Sequence, residues 1–125
     1  MFDWKDYSKL SEIWKSVAIQ DPLHEAYYRS SISRSYYFVY NFVKKFALSN
    51  GYKLSDNFKG GRHAEMIWYL NNNNKNWAGG HLSKLRKNRN DSDYEEDKVI
   101  DQRLNNASLL IASYVINDLN SVYTP

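Results

Sequence analysis

A run of cationic and polar side chains between residues 84 and 94 is the part of the sequence best suited to bind a phosphate. Arg89 and Asn90 lie at its centre, because an arginine fixed near a helix end can grip a phosphate with two parallel hydrogen bonds. The same run predicts a nucleic-acid or phosphate surface formed by Lys84, Arg86 and Lys87. Asp93 offers the alternative that Arg89 forms an ion pair one helical turn on, within a solvated charged face.

A second cation lies among aromatic residues in the segment Ser33-Arg34-Ser35-Tyr36-Tyr37. An arginine in a buried helix needs a partner, and Asp93 is the candidate across the protein. The segment predicts either a wall of the phosphate site, with Arg34 as a phosphate ligand, or core tyrosines with one structural ion pair.

The three histidines, His24, His63 and His81, are isolated from one another in the sequence. Zinc and related metals need clusters of ligands, so we expect no metal site. The two glycine pairs lack the spacing of a phosphate-binding loop, and we expect no cofactor. His63 and His81 both stand near predicted helix starts, where a structural role is the ordinary interpretation.

Apolar residues recur at three- and four-residue steps, which predicts an all-α fold. Helices are expected over about 4–19, 23–49 and 62–70, then after Gly79-Gly80, and finally beyond the acidic stretch that ends at Asp97. No segment alternates as a half-buried strand does. The second helix carries apolar residues on more than one side and is expected to be central; its main stripe is Ile32, Tyr36, Val39, Val43 and Phe46.

Length and composition set the remaining expectations. The 125 residues fit a single domain, 1–125, with 42% hydrophobic residues for a core. The chain has no cysteine, no signal-peptide pattern and no apolar run long enough to span a bilayer, so a cytoplasmic protein without membrane contact is expected. A net charge of +3 permits an RNA partner without requiring one.

Three segments, in this order, resemble the HEPN family (higher eukaryotes and prokaryotes nucleotide-binding). They are 31–40 with Arg34, Tyr36 and Tyr37, then 61–67 with His63, then 85–94. Similar sequences carry an arginine and two tyrosines in the second helix, a histidine opening the third, and Arg-x-x-x-Asp-Tyr before the last, here Arg89, Asp93 and Tyr94. The resemblance spans about 19–119.

The resemblance implies a four- to five-helix up-and-down bundle that forms a homodimer, with one cleft built from both subunits. In nuclease members, an arginine, the polar residue after it and a histidine separated from the arginine by four to six residues cut RNA without metal. This sequence keeps Arg89 and Asn90 but has Tyr94, Glu95 and Glu96 at the positions of the histidine. His81, about two turns before Arg89, is the candidate for the missing acid or base.

Two functions follow from the resemblance and stay open. One is a metal-independent RNA endonuclease of an antiviral defence or toxin–antitoxin system, with Arg89, Asn90, Tyr94 and His81 as catalytic residues. The other is a non-catalytic module that binds a partner protein such as a nucleotidyltransferase, a nucleotide or RNA. In both, Asp93, Tyr36 and Tyr37 support the site.

Overall fold

The apolar periodicity of the sequence corresponds to five α-helices in the structure, a computed structural model. It describes residues 2–18 and 23–120, without the side chains of 15–18. The helices are α1 (Lys5–Ala18), α2 (His24–Ser49), α3 (Gly61–Asn71), α4 (Asn76–Tyr94) and α5 (Gln102–Asn120). The described part contains no strand, so the all-α fold predicted from the sequence is confirmed as a helical bundle.

Helix α2 is the centre of the bundle and contacts each of the other four helices. All five residues of its predicted apolar stripe are buried, and Ile32, Tyr36 and Val39 are completely so. Burying a large apolar side chain contributes about 2 kcal/mol, so this stripe is a main source of stability. The prediction that α2 is contacted on more than one side is confirmed.

A short polar contact joins α1, α2 and α5. Ser11 Oγ donates to the carbonyl of Ser31 at 2.9 Å, and Ser31 Oγ donates to the carbonyl of Ser11 at 2.9 Å. Asn105 Nδ2 then donates to Ser31 Oγ at 2.9 Å. These buried groups have partners that replace water, which fixes how α1 and α5 sit on α2.

The loop between α2 and α3 is held down by Glu65, whose side chain is completely buried. Its carboxylate accepts hydrogen bonds from Tyr52 Oη at 2.6 Å and Ser55 N at 2.7 Å, and pairs with Arg62 Nη1 at 2.7 Å. Burial works to raise the pKa of Glu65, but these partners hold it below its usual range. The contacts fix the first turn of α3, which carries His63.

Helix α4 begins at Asn76, earlier than predicted, so Gly79 and Gly80 lie inside it. A Cβ on Gly79 would come within 2.1 Å of Asn71 Oδ1. The glycine pair therefore does not mark a turn. Gly79 allows the end of α3 to lie directly against α4, and the continued helix buries Ala78.

The connection from α4 to α5 is held by Arg29 of α2. Its guanidinium donates to the carbonyl oxygens of Asp91 at 3.2 Å and Ser92 at 3.0 Å, at the end of α4. It also pairs with Glu25 Oε2 at 3.0 Å, and that carboxylate accepts the Ile100 N–H at 3.2 Å. The end of α4, with Asp93 and Tyr94, is thereby fixed against α2.

None of the helices in the described ranges is long and apolar enough to cross a membrane.

Candidate functional site

Arg89 lies at the junction of α2 and α4 and is only 8% exposed. Its Nε is 2.9 Å from Asp93 Oδ2, and its Nη1 donates to Asn90 Oδ1 at 2.9 Å. Its Nη2 donates to the hydroxyl of Tyr37 and lies 3.4 Å from that of Tyr94. Both terminal nitrogens donate within the protein, and Nε is buried at ion-pair distance from Asp93 without an aligned hydrogen-bond acceptor, which leaves Arg89 little capacity to grip a phosphate.

Three aromatic rings surround the same guanidinium. Its central carbon lies 4.8 Å from the ring centre of Tyr37, 5.4 Å from that of Tyr94 and 5.6 Å from that of Tyr36. Cation–π contacts of this kind contribute about 0.5–2 kcal/mol each, depending on exposure. We call Arg89, Asp93, Tyr36, Tyr37, Tyr94 and His63 the Arg89 cluster.

Asp93 pairs with Arg89, so the ion pair one turn along the helix is confirmed and Arg34 is not its partner. Ser33 Oγ also donates to Asp93 Oδ2, at 3.2 Å. Arg34 instead lies over the ring of Tyr7, 5.0 Å from its centre. The charge of Asp93 is needed beside the buried Arg89, whereas Arg34 is half-buried and keeps contact with solvent.

His63 joins the cluster from the first turn of α3. Its Nδ1 lies 2.6 Å from the hydroxyl of Tyr36, and its ring is 4.3 Å from that of Tyr40, centre to centre. Burial raises the pKa of Tyr36 well above its ordinary value of 10.0, so the tyrosine keeps its proton. Its hydroxyl donates to Nδ1 or accepts from it according to the imidazole tautomer, and the tautomer with hydrogen on Nδ1 leaves Nε2 free to accept a proton.

Burial lowers the pKa of His63 below 6.5, and the positive charges of Arg89 and Arg86 lower it further. The imidazole is therefore neutral at pH 7. A neutral imidazole beside an arginine is a group that can accept a proton during catalysis. The ordinary structural interpretation of His63 missed this placement, because its partners are 23 to 27 residues away along the chain.

His81 lies in a different place, against Trp77 of α4 and Tyr114 of α5. Its Nδ1 donates to the carbonyl of Trp77 at 2.8 Å, and its ring is 4.3 Å from Trp77 and 5.6 Å from Tyr114. The structure does not bring His81 together with Arg89. The side chains face different neighbours, since Arg89 contacts tyrosines of α2.

The predicted cations of α4 divide into three environments. Lys87 is exposed and pairs with Asp91 at 2.9 Å. Lys84 is exposed, and Arg86 is half-buried and close enough for its charge to act on Tyr36 and His63. Only Arg86 of these three acts on the cluster.

The cluster offers binding and proton-transfer chemistry. Among the described residues no group of three histidine or acidic side chains could hold a metal ion. The side chains that remain open to a ligand are the ring of Tyr94, which is 69% exposed, the half-buried His63 and Arg86, and Asn90.

No protein-family model, no curated protein and no solved structure matches this chain.

Proposed function

We propose that this chain is a HEPN-like protein that binds single-stranded RNA at the Arg89 cluster. The three segments that carry the resemblance supply Tyr36 and Tyr37, His63, and Arg89 with Tyr94, and these side chains contact one another. Residues distant in sequence thus meet at one place, which supports a shared role. An aromatic and cationic surface is what proteins use to bind single strands.

The observation that carries the proposal is the placement of Tyr94. Its ring is 69% exposed, yet it lies 5.4 Å from the guanidinium carbon of Arg89. An arginine that holds an exposed ring in position creates a platform on which a base can stack, and stacking contributes about 1–3 kcal/mol per base. Arg89 thus serves by positioning Tyr94, and Arg86 is the cation placed to meet the RNA backbone.

Binding is tested by fluorescence anisotropy with a labelled single-stranded RNA of twelve nucleotides, in EDTA. Replacing Tyr94 by alanine is expected to weaken binding by about tenfold or more, because a stacking platform is lost. Tyr94→Phe keeps the ring and should bind nearly as the wild type does.

The matched control is Tyr114→Ala, which removes another exposed tyrosine. Tyr114 belongs to α5, and its ring contacts those of Trp77 and His81 on α4. Its RNA affinity should not change. Equal losses in the Tyr94 and Tyr114 variants, or no binding by the wild type, would contradict the proposal.

A second candidate function, metal-independent RNA cleavage, is favoured by the neutral His63. In that reaction His63, in the tautomer whose Nδ1–H donates to Tyr36 Oη, accepts at Nε2 the proton of a ribose 2′-hydroxyl, whose oxygen attacks the adjacent phosphorus. The bond to the 5′-oxygen of the next nucleotide breaks, which leaves a cyclic 2′,3′-phosphate and, after that oxygen is protonated, a 5′-hydroxyl end. Arg86 is the cation placed nearby to stabilise the charge that develops on the phosphate.

Cleavage is tested on labelled total RNA in EDTA, with wild type, His63→Gln and Arg89→Ala. Loss of full-length RNA with the wild type alone, with cyclic phosphate ends, would establish the nuclease. Intact RNA in every sample together with Tyr94-dependent binding would leave the binding function alone.

The resemblance also carries the proposals of a homodimer, of a cytoplasmic role in antiviral defence or a toxin–antitoxin system, and of a nucleotidyltransferase or other defence protein as partner. Light scattering of the purified chain tests the homodimer, and the same measurement with a co-expressed nucleotidyltransferase tests that partner. A monomer at every concentration would exclude a two-subunit cleft.

A further inference from the structure

A polar cleft of about 320 Å³ lies between the first half of α2 and the end of α4, next to the Arg89 cluster. It is lined by Ala26, Arg29, Ser30, Ser33, Arg34, Ser92 and Asp93. Its lining is mainly hydroxyl and charged groups, and it is large enough for a phosphate with part of a sugar.

Two of the three charged residues in this lining already have opposite charges or carbonyls as partners. Arg29 pairs with Glu25 and caps the carbonyls that end α4. Those carbonyls are thereby shielded, so the negative end of the α4 dipole is not presented to the cleft. Asp93 is paired with Arg89 at 2.9 Å and accepts from Ser33 at 3.2 Å.

Arg34 is different, because within the part of the chain that the structure describes its contact is the ring of Tyr7. That ring, 5.0 Å from its guanidinium carbon, restrains the side chain without using its hydrogen-bond donors in a salt bridge. Arg34 therefore brings to the cleft a positive charge and N–H donors that no salt bridge occupies. A planar guanidinium with free donors recognises oxyanions with two parallel hydrogen bonds.

We propose that this cleft binds the 5′-phosphate group of a nucleotide, with Arg34 as its main ligand and the hydroxyl of Ser30 as a further donor. A phosphate monoester offers three terminal oxygens and up to two negative charges, which suits a fork and a hydroxyl. The carboxylate of Asp93 is also in the lining, but Arg89 compensates its charge. Ser33 supplies no donor, since its hydroxyl proton goes to Asp93.

The inference deepens the proposed RNA binding and rests on it for the identity of the ligand. Asp93 of the cleft pairs with Arg89, whose guanidinium carbon lies 5.4 Å from the centre of the Tyr94 ring, so one ion pair connects the cleft to the stacking platform. A nucleotide whose phosphate occupies the cleft has an aromatic ring within reach of its base. The cleft would then distinguish RNA that ends in a 5′-phosphate from RNA that ends in a 5′-hydroxyl.

The test compares two RNAs of twelve nucleotides labelled at the 3′ end, one with a 5′-phosphate and one with a 5′-hydroxyl. We expect the phosphorylated RNA to bind about tenfold more tightly, since charged hydrogen bonds are gained at the cleft. Arg34→Gln should remove this difference and leave the affinity for the 5′-hydroxyl RNA unchanged. Arg103→Gln, which replaces an exposed arginine of α5, is the matched control and should keep the difference in affinity between the two RNAs.

A second variant guards against a folding defect, because Arg34 also contacts α1 through Tyr7. Ser30→Asp keeps Arg34 but places a carboxylate in the cleft, where it would compete with the phosphate. It should abolish the preference for the 5′-phosphate. A preference that persists in both variants would overturn the inference.

Adenosine 5′-monophosphate separates the two sources of the phosphate. If the free nucleotide competes and the competition depends on Arg34, the cleft binds mononucleotides. If phosphorylated RNA is preferred but the free nucleotide does not compete, the cleft binds the 5′ ends of RNA. Equal affinity for both RNAs, with Tyr94-dependent binding and no competition, refutes the cleft but leaves RNA binding intact. Arg34-dependent binding of the nucleotide without any RNA binding refutes the proposed function and keeps the cleft.

Discussion

Arg89 and Lys87 both pair with a carboxylate four residues further along α4, but the two pairs lie in different surroundings. The side chains of Arg89 and Asp93 are 10% and 24% exposed, whereas Lys87 is 66% exposed. Water and salt screen the exposed pair, so it contributes little. The Arg89–Asp93 pair has lost most of its hydration. Removing one partner would leave the other charge buried and unpaired, which would lower the free energy of unfolding.

Arg89→Ala is therefore expected to lower the free energy of unfolding by about 3 kcal/mol. Lys87→Ala, the matched change on the same helix, should lower it by less than about 1 kcal/mol. Urea unfolding followed by circular dichroism measures both. In a double-mutant cycle, adding Asp93→Ala to Arg89→Ala should cost less than Asp93→Ala does alone; additive costs would show that the two charges do not interact.

His63 makes stability depend on pH in a direction that its surroundings determine. Burial, then the charges of Arg89 and Arg86, lower its pKa in the folded protein below 6.5. In the unfolded chain the imidazole takes up a proton near pH 6.5, while the folded protein does not. Stability is therefore lost as the pH falls through 6.5, and the loss stops once the pH is below the folded pKa.

We expect the wild type to lose more stability than His63→Gln between pH 7.5 and pH 5.5. Carboxylates titrate in both proteins, so the difference between them isolates the imidazole. Urea unfolding at the two pH values gives the comparison, and an NMR titration of the His63 ring should show a midpoint below 6.5. A midpoint above 6.5 would remove the case for a neutral imidazole in the Arg89 cluster.

At the scale of helices, periodicity predicted four of the five helix starts to within a few residues. The stripe on α2 was sufficient, because apolar side chains at three- and four-residue steps must be buried together. The predicted start of α4 is wrong, because the prediction places it after Gly79 and Gly80, whereas the helix begins at Asn76. Glycine weakens a helix but does not forbid one, and close contact with Asn71 outweighs that weakness.

The two glycines of α4 give a matched pair of substitutions. Gly80→Ala should raise the free energy of unfolding by about 0.5–1 kcal/mol, because a Cβ there meets no atom within 4 Å and alanine favours helix. Gly79→Ala should stabilise less than Gly80→Ala, because its Cβ would come within 2.1 Å of Asn71 Oδ1 and the Asn71 side chain would have to rotate away. Thermal or urea unfolding measures both; equal stabilisation by the two variants would mean that Asn71 moves aside at no cost.

The Arg89 cluster shows what a single sequence could and could not predict. The pairing of Arg89 with Asp93 follows from helical spacing, so it was among the predicted alternatives. The place of His63 depends on how α3 packs against α2, which no local spacing encodes. The prediction that His81 acts with Arg89 considers only their two-turn separation along α4, whereas helical rotation turns His81 towards Trp77 and Tyr114.

Across the whole molecule the net charge of +3 overstates how basic any one surface is. Several cations face a carboxylate within 4 Å, among them Arg29, Arg62, Lys87, Arg89 and Lys98. Among the described residues, Arg86 acts on the Arg89 cluster without such a pair, and Arg34 lines the adjacent cleft without one. RNA bound there would displace few counterions, and stacking would supply much of its affinity.

The salt dependence of RNA binding should therefore be shallow. Each phosphate contact with a single strand contributes about −0.7 to the slope of log affinity against log salt, so two or three contacts give a slope between about −1.4 and −2. The affinity for the twelve-nucleotide RNA should then fall roughly tenfold between 50 and 200 mM salt. Arg86→Gln should make the slope shallower by about 0.7, while Lys45→Gln, about three turns beyond Arg34 on α2, should not. A slope near −5 would mean that RNA follows a much wider cationic surface than this cluster, and a slope near zero would mean that no phosphate is contacted.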